Sequence, residues 1–253
     1  MTRTTHIWLA VTGILLASLL TPPQARAIDY TNESLNYEIV FQWGMIWKHA
    51  ANATLSIKKS GDGYHAMLVG RTRSWADKIY PMRDTLKSTL NSSYKPVKYQ
   101  KLTHENGYDA VDIVDFSYSG GKTHGKCVRY RPRKEPQRVT LQATGEAYDM
   151  LSIFYFLRRL KFDSMRKNTF YSSTIFSGKE KEKLAIKYLG LKSIKLRDGS
   201  RHNAHHVSFT FTTDNGKQSS DAITAYLSTD EQHIPLLLIG KLPVGSVKVY
   251  YKR

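Results

Sequence analysis

The stretch YDMLSIFYFLRRLKF, Tyr148–Phe162, decides the fold, because it is the longest helical pattern in a chain that otherwise alternates like a β protein. Asp149 stands where an N-cap residue is expected, and basic side chains gather in the last turns, at the negative end of the helix dipole. The apolar residues that share one helical face are Met150, Ile153, Phe154, Leu157 and Leu160. We therefore expect one main amphipathic helix that is covered by sheet on most sides and mainly fills space.

The sequence ahead of this helix has a period of two, which is typical of strands. In YEIVFQWGMIW, residues 37–47, every odd position is apolar, so Trp43, Met45 and Trp47 are predicted to face the core. Ala51, Ala53, Leu55 and Ile57 continue the pattern as a second strand. Since each strand presents one apolar face, the chain predicts an antiparallel sheet that buries one side.

Strand-like segments and turn signals fill the rest of the chain. About a dozen strands are expected, with Pro81–Asp84 as a possible short helical entry. The segments predicted as strands after the main helix are TFYSSTIF, EKLAIKYLG, KSIKL, HHVSFTFTT, AITAYLS and GSVKVYYK. No linker-like stretch interrupts residues 28–253, which we interpret as a single domain of mainly β structure, with a strongly curved sheet around the helix.

The first 27 residues resemble an export signal. Arg3 gives a basic start, Ile7–Leu20 is an apolar run, and Ala25-Arg26-Ala27 is a small-x-small cleavage site. Cleavage after Ala27 would release a periplasmic protein without a transmembrane span, because the apolar run is shorter than the ~20 residues that cross a bilayer. The alternative is that the segment is retained as an anchor.

The formal net charge of +17 favours anionic partners. Polysaccharide, lipopolysaccharide and phospholipid surfaces fit this charge, whereas export argues against nucleic acid as a physiological partner. A solvated basic surface without a dedicated partner is the alternative. Cys127 is the only cysteine, so we expect no intrachain disulfide and a small buried apolar residue rather than a nucleophile.

Three segments carry a resemblance to a known family. The helix YDMLSIFYFLRRL, the opening LNYEIVFQWGMIWKHAANATLSI and the closing YLSTDEQHIPLLLIGKLPVGSVKVYYK resemble, in order and spacing, exported bacterial proteins known as domain of unknown function 3108. Thr229 and Gln232 depart from the family pattern in a turn. The resemblance implies a half-barrel, an antiparallel sheet wrapped around one main α-helix, similar to an exported protein of a capsule-export operon. It implies no catalytic residues, so Arg158 is expected to meet a carboxylate or a strand carbonyl.

The best candidate for ligand binding is an aromatic residue among cations. Trp75 lies close in sequence to Arg71, Arg73 and Lys78. A flat aromatic surface beside positive charge suits acidic glycan or lipid headgroups. We therefore predict Trp75, Arg71, Arg73 and Lys78 as ligand-binding residues.

The other motifs give weaker indications of function. His202 and His206 are predicted to share one strand face while His205 points away, and Asp198 and Asp214 are near only in sequence, so we expect neither a metal site nor a cofactor. Thr85 and Ser164 stand in segments that resemble an O-glycosylation acceptor pattern. No nucleophile elbow or phosphate-binding glycine loop is present.

Three functions stay open at the level of sequence. The first is a non-enzymatic envelope protein that binds or scaffolds an anionic glycan or a lipid-derived polymer. The second is a protein-interaction component of an envelope or capsule assembly, which would need an exposed strand edge or apolar patch. The third is a hydrolase acting on envelope polymers, which would need convergent polar side chains in one pocket.

Overall fold

The structure, a computed structural model, describes residues 28, 30–213, 222–241 and 245–252. The predicted signal segment, its cleavage point after Ala27, and Asp214 lie outside the described residues.

The prediction of a mainly β protein is confirmed. Across the described residues, fifteen strands form one sheet in the order β8-β7-β6-β5-β4-β3-β2-β1-β15-β14-β13-β12-β11-β10-β9. Neighbouring strands are antiparallel, apart from the parallel pair β9 and β10. The strands are β1 Glu33–Trp43, β2 Ile46–Ser60, β3 Gly63–Thr72, β4 Arg83–Leu90, β5 Pro96–Glu105, β6 Tyr108–Ser119, β7 Lys122–Arg131, β8 Lys134–Thr144, β9 Ala147–Tyr148, β10 Phe170–Phe176, β11 Lys181–Lys195, β12 Arg201–Thr213, β13 Ile223–Ser228, β14 Pro235–Lys241 and β15 Ser246–Lys252.

The two edges of this sheet approach each other. Phe116 of β6 stacks on Phe176 of β10, with ring centroids 5.6 Å apart. The Nζ of Lys181 donates to the carbonyl of Gln142, which joins β11 to β8 at 3.4 Å. The sheet is therefore nearly closed and barrel-like.

In the part of the chain that the structure describes, the helices are short and lie in two places. α1 is Ser74–Asp77 and α2 is Ser152–Arg158, followed by a 3₁₀ turn at Phe162–Ser164. The predicted helix was too long at its start, because Tyr148 pairs with β10 as part of β9. No helix within the described ranges combines the length and the apolar character that a membrane crossing requires.

Asp149 fulfils the capping role predicted for it, although α2 begins three residues later. Its Oδ1 accepts hydrogen bonds from the backbone N–H groups of Leu151 and Ser152, both at 2.7 Å. Its Oδ2 accepts a hydrogen bond from the Ser88 hydroxyl at 2.6 Å, which ties the helix start to β4. The carboxylate oxygen Oδ1 thus accepts from N–H groups that the first helical turn leaves without partners.

Both faces of α2 are buried against strands. Leu151 and Tyr155 pack with residues of β1 and β2. Ile153 and Leu157 pack with residues of β11, β12 and β13. The helix thus joins two parts of the core that come from opposite arms of the sheet.

Arg158 meets a carboxylate, as the sequence predicted. Its two terminal nitrogens each lie 2.6 Å from a carboxylate oxygen of Glu33, and its Nε donates to the carbonyl of Gln232 at 3.0 Å. The guanidinium also lies 4.3 Å from the ring centroid of Tyr30. A fully buried charge is thereby paired, hydrogen-bonded and stacked.

The alternation of apolar residues predicted burial correctly for β2 and wrongly for the turn before it. Ala51, Ala53, Leu55 and Ile57 are buried as predicted, whereas Met45 is 96% exposed and Trp47 is about half exposed. The chain reverses at Gly44, which has a φ of +55°, so the alternation of β1 does not continue through the turn. The side chain of Trp43 is outside the description.

Strand register defines two ends of the sheet. At one end lie the β1–β2 turn at Gly44 and the connection between Thr72 and Arg83; we call it the groove end. The other, called the helix end, holds Glu33, the β2–β3 turn and Arg158.

The predicted helical entry at Pro81–Asp84 is wrong, since Met82 forms a β-bridge with Glu105 and β4 begins at Arg83.

Candidate ligand-binding groove

An apolar groove of about 660 Å³ opens at the groove end of the sheet. This volume lies within the range of small-molecule sites in proteins. The floor comes from β1, β2 and β15, and one wall comes from α1 and the segment after it. The lining residues are Ile39, Phe41, Ile46, Lys48, Ala50, Ala51, Thr72, Trp75, Ala76, Ile79, Tyr80, Met82 and Val247.

The wall of the groove is held against β2 by hydrogen bonds to its backbone. The N–H of Arg73 donates to the carbonyl of Ala50 at 2.9 Å. The indole Nε1 of Trp75 donates to the carbonyl of His49 at 2.8 Å, which orients the ring. Trp75 therefore satisfies its only polar atom while its ring lines the groove.

A second contact fastens α1 to the start of β4. Asp77 forms a bidentate ion pair with Arg83 at 2.6 and 2.7 Å and accepts a hydrogen bond from the hydroxyl of Thr72. The hydrogen bonds from Arg83 and Thr72 lower the pKa of Asp77 to about 2. The carboxylate therefore stays charged well below the ordinary aspartate range.

We expect the Asp77 carboxyl to titrate with a midpoint of about 2, as followed by carbon NMR of the side chain. Because the folded protein favours the charged form, the stabilising contribution is complete above the ordinary value of about 3.9 and is lost as the pH falls through about 2. Arg83→Gln removes the ion pair, so the midpoint should rise towards 3.9. An unchanged midpoint in Arg83→Gln would show that the ion pair does not set the pKa.

Cations surround the groove, but not all of them were predicted. The Nζ of Lys48 lies 5.0 Å from the ring centroid of Trp75, and the Nζ of Lys248 lies 4.0 Å from that of Trp47. A guanidinium nitrogen of Arg73 lies 2.7 Å from Nδ1 of His49. Lys48 and Lys248 come from β2 and β15, so only strand pairing could place them beside the α1 segment.

The four predicted site residues all lie at the groove end. Trp75, Arg71, Arg73 and Lys78 are exposed, and Trp75 lines the groove directly. Arg71 is the residue before the end of β3 and lies opposite Arg83, and Lys78 follows α1. Whether they bind a ligand stays a prediction.

The carboxyl groups of Asp84 and Glu105 are joined by a hydrogen bond next to Tyr80. The hydroxyl of Tyr80 donates to Glu105 at 2.8 Å. The pKa of Asp84 is raised, first by burial and then by its hydrogen bond with Glu105, against the opposing N–H of His104. The Asp84 carboxyl therefore holds its proton to a higher pH than an ordinary aspartate does.

Two smaller apolar cavities lie further into the interior than the groove. The first, of about 180 Å³, shares Ile39 with the groove and reaches Leu151 and Phe154 of the α2 segment. The second, of about 130 Å³, shares Phe154 and Leu238 with the first. Ile39 therefore separates the groove from the first cavity, and Phe154 and Leu238 separate the first cavity from the second.

The histidines predicted to diverge do so. His205 is buried, with its Nδ1 3.1 Å from the hydroxyl of Tyr188, whereas His206 stacks on Tyr226. His202 interacts with Ser200. Within the described part of the chain, no group of three or more metal-ligating side chains is arranged to hold an ion.

Predictions were also made for three single residues, Cys127, Ser164 and Thr85. Cys127 is buried as predicted, and burial raises the pKa of its thiol to about 11, which leaves it unreactive as a nucleophile. Ser164 is exposed and Thr85 is partly buried on β4; their glycosylation stays a prediction.

Comparison with known proteins identifies the family. Residues 36–252 match the family model described as "Protein of unknown function (DUF3108)". The chain belongs to the DUF3108 family. The resemblance seen in the sequence is therefore confirmed.

A solved structure shares the fold of this DUF3108 family member. It is a β-barrel-like protein of domain of unknown function DUF1849 from Brucella abortus, with 13% sequence identity and a TM-score of 0.62. The alignment covers 89% of this chain and 98% of the Brucella chain. No curated protein matches the sequence.

Proposed function

We propose that this protein binds an anionic, lipid-derived amphiphile, with the acyl chain in the groove and the headgroup against the surrounding cations. The observation that carries the proposal is an open groove of about 660 Å³ with an apolar lining and lysines at its rim. Burial of each methylene contributes about 0.8 kcal/mol, so a chain of modest length supplies substantial affinity.

The lining favours a lipid-derived ligand over a glycan. Sugar sites combine aromatic faces with several polar side chains that bond to hydroxyl groups. Trp75 supplies an aromatic face, but its indole N–H is already bonded to His49 and its neighbours in the groove include Ile79 and Met82. Anionic lipid headgroups would be attracted by Lys48, each such cation contributing about 1 kcal/mol near a membrane surface.

The proposal includes a finer description of the fold and its location. The sheet acts as a half-barrel wrapped around α2, and the helix blocks the helix end while the groove end stays open to ligand. Support for this comes from the burial of Arg158 at one end and the cavities that begin at Ile39 at the other. The signal-like residues 1–27 favour a periplasmic protein that delivers or holds the amphiphile without chemical change.

Binding of lysophosphatidylglycerol, measured by calorimetry, tests the proposal. Ile46→Glu places a carboxylate at the exposed edge of the groove, where it repels the headgroup and must be desolvated by the chain. We expect affinity to fall at least roughly tenfold, or about 1.4 kcal/mol. Lysophosphatidylcholine, which lacks net charge, should bind more weakly to the unaltered protein.

Leu191→Glu is the matched control. Leu191 is also exposed and also apolar, but it pairs with His205 away from the groove. The control should bind the lysolipid like the unaltered protein. Absence of lysolipid binding, or equal losses in the two variants, would refute the proposed site.

A further inference from the structure

The groove end carries exposed apolar side chains, two of which do not line the groove. Met45 is 96% exposed and Trp47 is 47% exposed in the β1–β2 turn and the strand after it. Ile79, which is 74% exposed, lies on the segment after α1 and lines the groove together with Ile46 of β2. We call Met45, Trp47 and Ile79 the apolar tip. Side chains of this size are seldom left so exposed together unless the surface binds something.

Positive charge surrounds the apolar tip. Lys248 lies over the ring of Trp47, and Lys48 lies over the ring of Trp75 next to it. Arg73 and Lys78 are exposed on the α1 segment of the same end. Of the acidic groups nearby, Asp77 is paired with Arg83, and Glu105 accepts a hydrogen bond from the hydroxyl of Tyr80.

This combination matches the chemistry of a membrane surface rather than that of a strand edge. Tryptophan and apolar side chains enter the boundary between headgroups and acyl chains, while lysine and arginine contact anionic headgroups. Several cations near the surface add their attractions to anionic lipid. The exposed edge strand β8, in contrast, carries Lys134, Glu135, Pro136 and Arg138, which oppose pairing with another strand.

We infer that the apolar tip docks the protein onto an anionic lipid bilayer, with Met45, Trp47 and Ile79 inserted and the cations on the headgroups. This docking does not require the proposed ligand, because Met45 and Trp47 lie outside the groove lining. If both hold, the groove opens towards the bilayer that supplies or receives the amphiphile.

Sedimentation with vesicles tests the docking. The protein should sediment with vesicles of mixed phosphatidylglycerol and phosphatidylcholine and remain in solution with pure phosphatidylcholine. The double variant Met45→Glu/Trp47→Glu should lower the bound fraction at least tenfold. Control variant Val97→Glu/Leu191→Glu introduces the same charge at exposed apolar positions away from the tip and should bind like the unaltered protein.

The lysolipid measurement separates this inference from the proposed function. The neutral double variant Met45→Ser/Trp47→Ser adds no charge beside the groove, so it should also lose vesicle binding but keep its affinity for monomeric lysophosphatidylglycerol, which shows that it is folded. Vesicle binding unchanged by the double variant would overturn the docking, even if lysolipid still binds. Self-association abolished by the double variant, without any vesicle binding, would overturn it too, because the tip would then join two copies of the chain.

Discussion

Arg158→Ala should lower the free energy of unfolding by about 3–5 kcal/mol, the largest loss expected from a single substitution in the described residues. The substitution leaves the Glu33 carboxylate without its partner and the carbonyl of Gln232 without its donor. It also removes the cation that stacks on Tyr30 at the helix end. Denaturant titration followed by circular dichroism measures the loss.

A double-substitution cycle shows where that energy comes from. Glu33→Gln removes the charge that Arg158→Ala leaves unpaired, so the double variant should be less destabilised than the sum of the two single variants. The coupling should be about 1–3 kcal/mol. Additive losses would mean that the ion pair is not the source, and that packing of the arginine stem accounts for the effect.

Ala53→Phe should weaken the binding of long-chain lysophosphatidylglycerol by roughly a hundredfold or more while leaving the short-chain homologue nearly unaffected. Ala53 lines the first inner cavity, of about 180 Å³, beyond Ile39. A phenyl ring there occupies space that four or five methylenes would otherwise fill, at about 0.8 kcal/mol each. Calorimetry across a series of chain lengths gives the comparison.

The stability of Ala53→Phe serves as its control. Because the ring enters existing apolar space, the variant should unfold at about the same denaturant concentration as the unaltered protein. Unchanged affinity for both short and long chains would mean that the ligand stays in the groove. That result would contradict entry of the acyl chain into the cavity lined by Ala53 and leave the proposed groove site intact.

The fold could be predicted where a local pattern matched the environment. Residues 51–57 alternate because one face of β2 is buried, and Asp149 caps α2 through contacts within a few residues. β14 was missed because PLLLIGK has no alternation, being largely buried on both faces. β11 was predicted as two strands, yet Gly190 adopts a φ of +93° and is accommodated as a bulge.

The candidate site was harder to predict because it is assembled across the sheet. Trp75 was found from its own basic neighbours, but the cation nearest its ring is Lys48, which β2 supplies. Trp47 was assigned to the core by parity, since nothing local marked Gly44 as the reversal point. Ile79 and Tyr80 carried no periodic signal, because they lie between elements rather than within one.

The pairing of β1 with β15 has a consequence for how the chain reaches this fold. Asn36 meets Lys252 across the middle of the sheet, so the first strand acquires its second neighbour only when the last one arrives. Contacts between such distant residues make folding slow. Until then β1 has one free edge at the centre of the sheet, and such an edge can pair with the strand of another chain.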